Sequence, residues 1–209
     1  MISAYQALER LREGNRRFVS DVRDRDTPTS QTRRRELAVR QNPFAIVLGC
    51  SDSRVPAEII FDQGLGDLFV IRVAGNIVAP SQIDSVEFAA QRYDAQLVVV
   101  LGHSSCGAIL ATLEELELPL KDQSRHLRSI VSRVRPSVQA LLDTELRHDP
   151  TSLVHHAVRA NIRVSASHLR HGSEGLEQLI EKGELLVVGA EYSLETGEVE
   201  FFDGVPMAD

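Results

Sequence analysis

Short apolar runs alternate along the chain with longer stretches in which apolar residues recur every three or four positions, and this alternation predicts the architecture. Residues 44–49, 68–73, 97–102 and 185–189 are mostly apolar runs rich in β-branched residues, each too short for an independent helix. They predict the parallel strands of a buried sheet. Helical patterning separates them. Residues 3–19 carry Leu8, Leu11 and Phe18 at mostly helical spacing, and residues 31–41 return to helix after the polar stretch 24–30, which contains Pro28. Residues 56–61 and 81–93 predict the crossovers between the first three strands, the second with Ser81 as N-cap and Asp84 as its capping-box-like partner. From 108 to 171 the pattern is mostly helical, with breaks expected around Pro119, Pro136 and Pro150. The closing stretch 185–202 predicts a strand, a turn at Glu195-Thr196-Gly197 and a short returning edge strand. The class is α/β: a mainly parallel central sheet of about four strands plus an edge strand, flanked by helices, with an N-terminal helical arm suited to packing on a partner subunit.

Composition narrows this picture. With 209 residues, 43% of them hydrophobic, the chain can bury one sizeable core. A single domain over 1–209 is expected, with 1–41 as its helical arm. A formal charge of -7 argues against nucleic acid as a partner, because phosphate contacts need lysine and arginine in surplus. The basic run Arg33-Arg34-Arg35 sits in helical composition and reads as a solvated face. No stretch approaches the ~18–20 apolar residues of a membrane span. Glu9, Arg10, Arg12 and Glu13 occupy the place of a signal peptide's apolar core, so a cytoplasmic location is expected. In that reducing compartment two cysteines far apart in the chain are thiolates for metal or catalysis, rather than a disulfide or a CxxC redox pair.

The candidate chemistry lies directly after two of the apolar runs, in Cys50-Ser51-Asp52-Ser53-Arg54 and His103-Ser104-Ser105-Cys106. Zinc accepts thiolate sulfur and imidazole nitrogen, so Cys50, His103 and Cys106 supply three ligands of the preferred kind. The fourth position has no further cysteine or histidine nearby. Asp52 is the alternative fourth ligand, which makes the site resemble an open, catalytic one. In open α/β sheets reactive groups gather at the carboxyl ends of strands, which is where both segments fall. Cys106 is expected at a helix N-terminus, whose positive end favours a thiolate. Ser51, Ser53, Ser104 and Ser105 read as turn-formers and orienting donors rather than nucleophiles. His155 and His156 are adjacent and poorly placed to chelate, while His168 and His171 are three apart. Neither G-x-G-x-x-G after the first strand nor a P-loop is present, which demotes nucleotide binding.

Cys-Ser-Asp-Ser-Arg-Val at 50–55, Arg-Val-Ala-Gly-Asn at 72–76 and Gly-His-Ser-Ser-Cys-Gly-Ala at 102–108 resemble the β-class carbonic anhydrases, a likeness that extends over the rest of the chain. The resemblance implies Zn²⁺ on Cys50, His103 and Cys106. It also implies reversible hydration of carbon dioxide to bicarbonate and a proton by hydroxide activated at the metal. It implies a catalytic dyad in which Asp52 accepts a hydrogen bond from the nucleophile while Arg54 holds the carboxylate off the ion. Gln41, reaching across a dimer interface, Phe69 and Phe88 as apolar pocket positions, and the backbone N–H of Gly107 are the implied substrate-binding groups. A homodimer or homotetramer is implied, with no nucleic acid or membrane partner.

The sequence departs from one bacterial subclass, which is inhibited by bicarbonate and carries Trp three positions before its first cysteine. Here that position is Val47 and the chain has no Trp, although Arg72 and Tyr192 resemble the other residues of that bicarbonate pocket. Asp52 is therefore expected off the metal and strong bicarbonate inhibition is not expected. Two thiolates should leave water at the zinc less acidic than three imidazoles would, so activity is expected to rise on the alkaline side. Hydrolysis of carbonyl sulfide or carbon disulfide at the same site, or a non-enzymatic zinc or thiol sensor, are the alternative readings.

Overall fold

A computed structural model describes residues 2–22, 31–119 and 121–206. The helix α1 (Ala4–Val19) opens with Ser3 as N-cap, its hydroxyl accepting from Gln6 N–H while the Gln6 side chain accepts from Ser3 N–H. α2 (Gln31–Val39) follows, and the expected polar loop around Pro28 lies outside the described residues. The apolar runs become β1 (Ala45–Gly49), β2 (Leu68–Arg72), β3 (Leu97–His103) and β4 (Leu186–Tyr192), all parallel, and β5 (Val199–Asp203) returns antiparallel to β4.

The sheet order is β2-β1-β3-β4-β5. The chain steps from β1 through α3 (Ala57–Ile60) to the edge strand β2. It then crosses back through α4 (Pro80–Tyr93) to place β3 on the other side of β1. The connections out of β1 and β3 therefore leave in opposite directions, and the crevice at the carboxyl ends of these two strands is the switch point where α/β sheets bind ligands.

β1 and β3 are buried at every position, as expected for strands covered on both faces. One face packs Ala45, Val47, Val99, Leu101 and Val188 against α1 and α3. The other packs Ile46, Leu48, Val98, Val100 and Val187 against the remaining helices. These are α4, α5 (Gly107–Glu117), α6 (Arg128–Leu142), α7 (Pro150–Arg170) and α8 (Glu174–Glu181). Burying each such aliphatic side chain contributes about 1.5–3 kcal/mol relative to exposure. α1 belongs to the protein's own core, with Ala7, Leu8 and Leu11 essentially inaccessible. Among the described residues no helix is long and apolar enough to cross a membrane.

Two helix expectations are corrected. α4 begins one residue earlier than expected, with Ala79 as N-cap and Pro80 at the first position. Ser81 then lies inside the first turn, its hydroxyl on Gln82, and caps nothing. Pro136 does not break α6 but sits within it at an exposed position, and Ser132, whose carbonyl the ring displaces, is exposed as well. Pro150 opens α7 with Asp149 as N-cap, and Pro119 follows the end of α5.

Candidate metal centre

Cys50 is the first residue after β1, and His103 is the last of β3, so the pairing of these strands brings together residues more than fifty positions apart. Cys106 joins them through a tight turn in which Ser105 takes a left-handed conformation (φ 52°) and Cys106 becomes the N-cap of α5. One ligand atom from each of the three lies within 4.8 Å of the others, and all three residues are buried. The sulfurs are 3.9 Å apart, close to the roughly 3.8 Å that two ~2.3 Å bonds at a tetrahedral angle require.

The imidazole is oriented for this role. Nδ1 of His103 lies 2.9 Å from Ser104 O, an acceptor only, so Nδ1 carries the proton and Nε2 presents a lone pair. That Nε2 is fully buried and has no hydrogen-bond partner, a costly arrangement unless a cation accepts it. The donor set and its spacing thus fit zinc.

Backbone N–H groups point at both sulfurs. Asp52 N and Gly75 N donate to Cys50 Sγ at 3.4 and 3.3 Å, while the backbone amides of Ala108 and Ile109 at the α5 N-terminus act to lower the Cys106 thiol. The hydrogen bond from Cys106 lowers Cys50 to about 4 against the opposing effect of burial. Cys106 is driven well above the usual thiol range by the Cys50 thiolate beside it and by burial.

Asp52 and Arg54 form a fork beside the cluster. Arg54 Nε and Nη2 donate to Asp52 Oδ1 and Oδ2 at 2.9 and 2.7 Å, and Arg54 N–H adds a third bond at 2.9 Å. The guanidinium hydrogen bonds hold the Asp52 carboxyl far below the usual carboxylate range. Asp52 Oδ2 stands 3.9 Å from His103 Nε2. Gly107 opens α5 beside Cys106, and the space where its side chain would stand is open.

Gln41, Phe69 and Phe88 form a separate group. Gln41 Nε2 donates to Tyr93 OH at 2.7 Å, and the Phe69, Phe88 and Tyr93 rings lie within 6.3 Å of one another, centroid to centroid. Phe69 is in register with Ile46, four positions before Cys50, so it lies about 13 Å below the level of Cys50 along the strand direction. Gln41 also borders a surface cavity of about 1180 Å³ with Arg34, Leu37, Arg40, Leu65 and Tyr93. Within one chain these three residues are not in the metal cluster.

Other sequence candidates find structural partners. Ser104 Oγ accepts from Leu194 N–H and Ser104 N–H donates to Tyr192 O, tying the ligand turn to the end of β4. Arg72 Nε and Nη2 donate to Cys50 O and Asp52 O at 3.0 and 2.6 Å, so it braces the ligand loop. Tyr192 is buried against Phe18. Arg33 is not merely solvated but turns to Glu36 and Asp67 at 3.6 and 3.7 Å. His155 faces Glu191 and His171 faces Glu177. The cysteine-histidine group is the one candidate metal cluster among the described residues. The sequence assigns no role to Asn161 or Tyr93, and it singles out Gly75 only as part of the Arg-Val-Ala-Gly-Asn segment at 72–76.

A sequence model of the family described as carbonic anhydrase matches residues 45–199. Carbonic anhydrase 2 of Mycobacterium tuberculosis is 39% identical over 202 residues, covering 95% of this chain and 93% of that protein. The carbonic anhydrase of Mycolicibacterium smegmatis is 40% identical over 197 residues, covering 93% and 91%. Among solved structures, the β-carbonic anhydrase CcaA superposes with a TM-score of 0.76 at 28% identity, over 94% of this chain and 95% of that one. A tetrameric β-carbonic anhydrase from Sordaria macrospora, at 24% identity and a TM-score of 0.72 over 83% and 87%, shares the fold.

Proposed function

The chain belongs to the carbonic anhydrase family, and from that premise we propose how its residues catalyse the reversible hydration of carbon dioxide to bicarbonate and a proton. The enzyme is a β-class, zinc-dependent carbonate dehydratase. The observation that carries this reading is the buried Cys50, His103 and Cys106 group with an unpartnered His103 Nε2, set beside the Asp52–Arg54 fork. Cys50, His103 and Cys106 hold the zinc, which when bound supplies the Lewis acidity that makes a water nucleophilic near neutral pH.

The chain's own groups then orient the reaction. Asp52 accepts a hydrogen bond from the attacking water or hydroxide and so aims a lone pair at the carbon; the anionic state imposed by Arg54 supports a pure acceptor role. Arg54 keeps the carboxylate directed away from the ligand position that Asp52 would otherwise contest. The N–H of Gly107 donates to an oxygen of bicarbonate. Gln41, Phe69 and Phe88 line the substrate path of a second copy, a role supported by their outward-facing grouping with Tyr93.

The assembly is a homodimer or homotetramer of one-domain chains in which residues 1–41 form the arm. Location in the cytoplasm is supported by two cysteines kept as free thiols. Stopped-flow hydration of carbon dioxide at mildly alkaline pH, on protein of measured zinc content, tests the reading. Activity near one zinc per chain is expected, with both zinc and activity lost in Cys106→Ser. Zinc-loaded protein without activity would overturn the substrate assignment in favour of a sulfur-containing substrate or a sensor.

A further inference from the structure

Asn161 lies on the buried face of α7, 2% exposed, and its amide reaches across to the turn at 74–76. Its Nδ2 donates to Gly75 O at 2.8 Å. Asn76 (φ 42°) is a non-glycine residue in the left-handed region directly after the left-handed Gly75 (φ 69°), and such a backbone persists where the surroundings support it. Glycine is needed at 75 for space as well, because a Cβ there would stand 3.1 Å from Ala108 Cβ. The N–H of the same residue donates to Cys50 Sγ. Gly75 therefore links a side chain 86 positions away to a metal ligand, with its carbonyl on Asn161 and its N–H on the sulfur.

We propose that Asn161 is a positioning residue for the metal centre: by holding the Gly75 carbonyl it fixes the N–H that donates to Cys50 Sγ, and so sets how much electron density that sulfur gives the metal. An N–H···S bond draws charge from a thiolate and stabilises it as a ligand. Losing the amide leaves a buried carbonyl that must find another donor, and the turn rearranges to supply one. The sulfur then loses its N–H and becomes the stronger donor. This inference rests on the reading of the site as a zinc centre.

The test uses the full chain with cobalt(II) in place of zinc and reads the thiolate-to-cobalt charge-transfer absorption, together with zinc affinity by chelator competition. In Asn161→Leu, a variant of similar size without the donor, the band moves to lower energy because the sulfur is the stronger donor, while zinc affinity falls about 10-fold or more because the turn beside Cys50 is no longer held in place for the metal. Leu169→Ala, a buried change on the same helix, lowers thermal stability but leaves the band in place. An unshifted band with wild-type affinity in Asn161→Leu overturns the proposal, even if its stability falls. Should that variant not fold, Asn161→Ser, polar but too short to reach Gly75, is read in the same way. Absence of any thiolate band in the wild-type cobalt protein would instead overturn the metal reading itself.

Discussion

Arg54 decides what Asp52 can do. Three N–H groups of one residue saturate the carboxylate on the side away from the ligand cluster and keep it ionised. Because its folded pKa is depressed, the stabilisation from its ionisation is present above the ordinary carboxylate value near ~4 and is lost only in stronger acid. Asp52 therefore contributes no titration to the rate near neutrality. Arg54→Ala is expected to lower kcat/KM about 10–100-fold with zinc content unchanged, because the freed carboxylate can turn toward His103 Nε2, 3.9 Å away. Stopped-flow rates with metal analysis check this, and a fully active variant would remove the dyad from the mechanism.

At the scale of elements, two contacts decide how the helices seat on the sheet. Gly14 on α1 packs against the Phe61 carbonyl so closely that a Cβ would overlap its oxygen, and the neighbouring Asn15 bonds Ile60 O, Gly197 O and Val199 N–H. Gly14→Ala thus forces α1 off its seat despite the higher helix propensity of alanine. A loss of about 1–3 kcal/mol is expected, visible as a fall of about 2–4 °C in Tm per kcal/mol; an unchanged Tm in a thermal melt would contradict it. On the far side, Arg159 grips Glu200 through both nitrogens at 2.7 and 3.0 Å, lies 3.4 Å from Glu191 and stacks on Phe202, tying α7 to β4 and β5. Burial pushes the Glu191 carboxyl upward, with His155 and Arg159 opposing. A raised folded pKa means that its contribution to stability is full below the unfolded value and is lost as pH rises through the folded one. Glu191→Gln should therefore gain in Tm relative to wild type between about pH 4 and pH 7. Melts at both ends check the sign, and a constant difference would contradict it.

At the scale of the whole molecule, the surface around Phe88 is apolar where a solitary chain would be expected to be polar. Phe88 is 52% and Val39 90% exposed, with Leu65 also outward, and Val39 and Leu65 line the same cavity as Tyr93, on which Phe88 packs. Phe69, which packs with Phe88 and Tyr93, lies about 13 Å below the level of its own chain's Cys50, so the substrate role proposed for the group requires a second copy. Phe88→Arg is expected to yield a smaller species in sedimentation and, with zinc retained, a lower rate. An assembly of unchanged size would move the interface elsewhere.

Much of this was legible in the chain because it depends on local pattern. Period-free apolar runs marked β1 to β4, since a strand covered on both faces needs apolar side chains on both. Cys50, His103 and Cys106 were legible as a candidate zinc-ligand set from their atom types and their place at strand ends, and the structure brings the three together. Tertiary structure alone decided that β3 lies beside β1 rather than beside β2, because that choice follows from how α4 packs across the sheet, and it is this choice that brings His103 to Cys50. It likewise decided that Pro136 stays in a helix, at an exposed position on α6, and that Asn161 donates to Gly75 O. A hydrogen bond across 86 positions leaves no periodic trace in either segment, because its energy depends on where two packed elements meet.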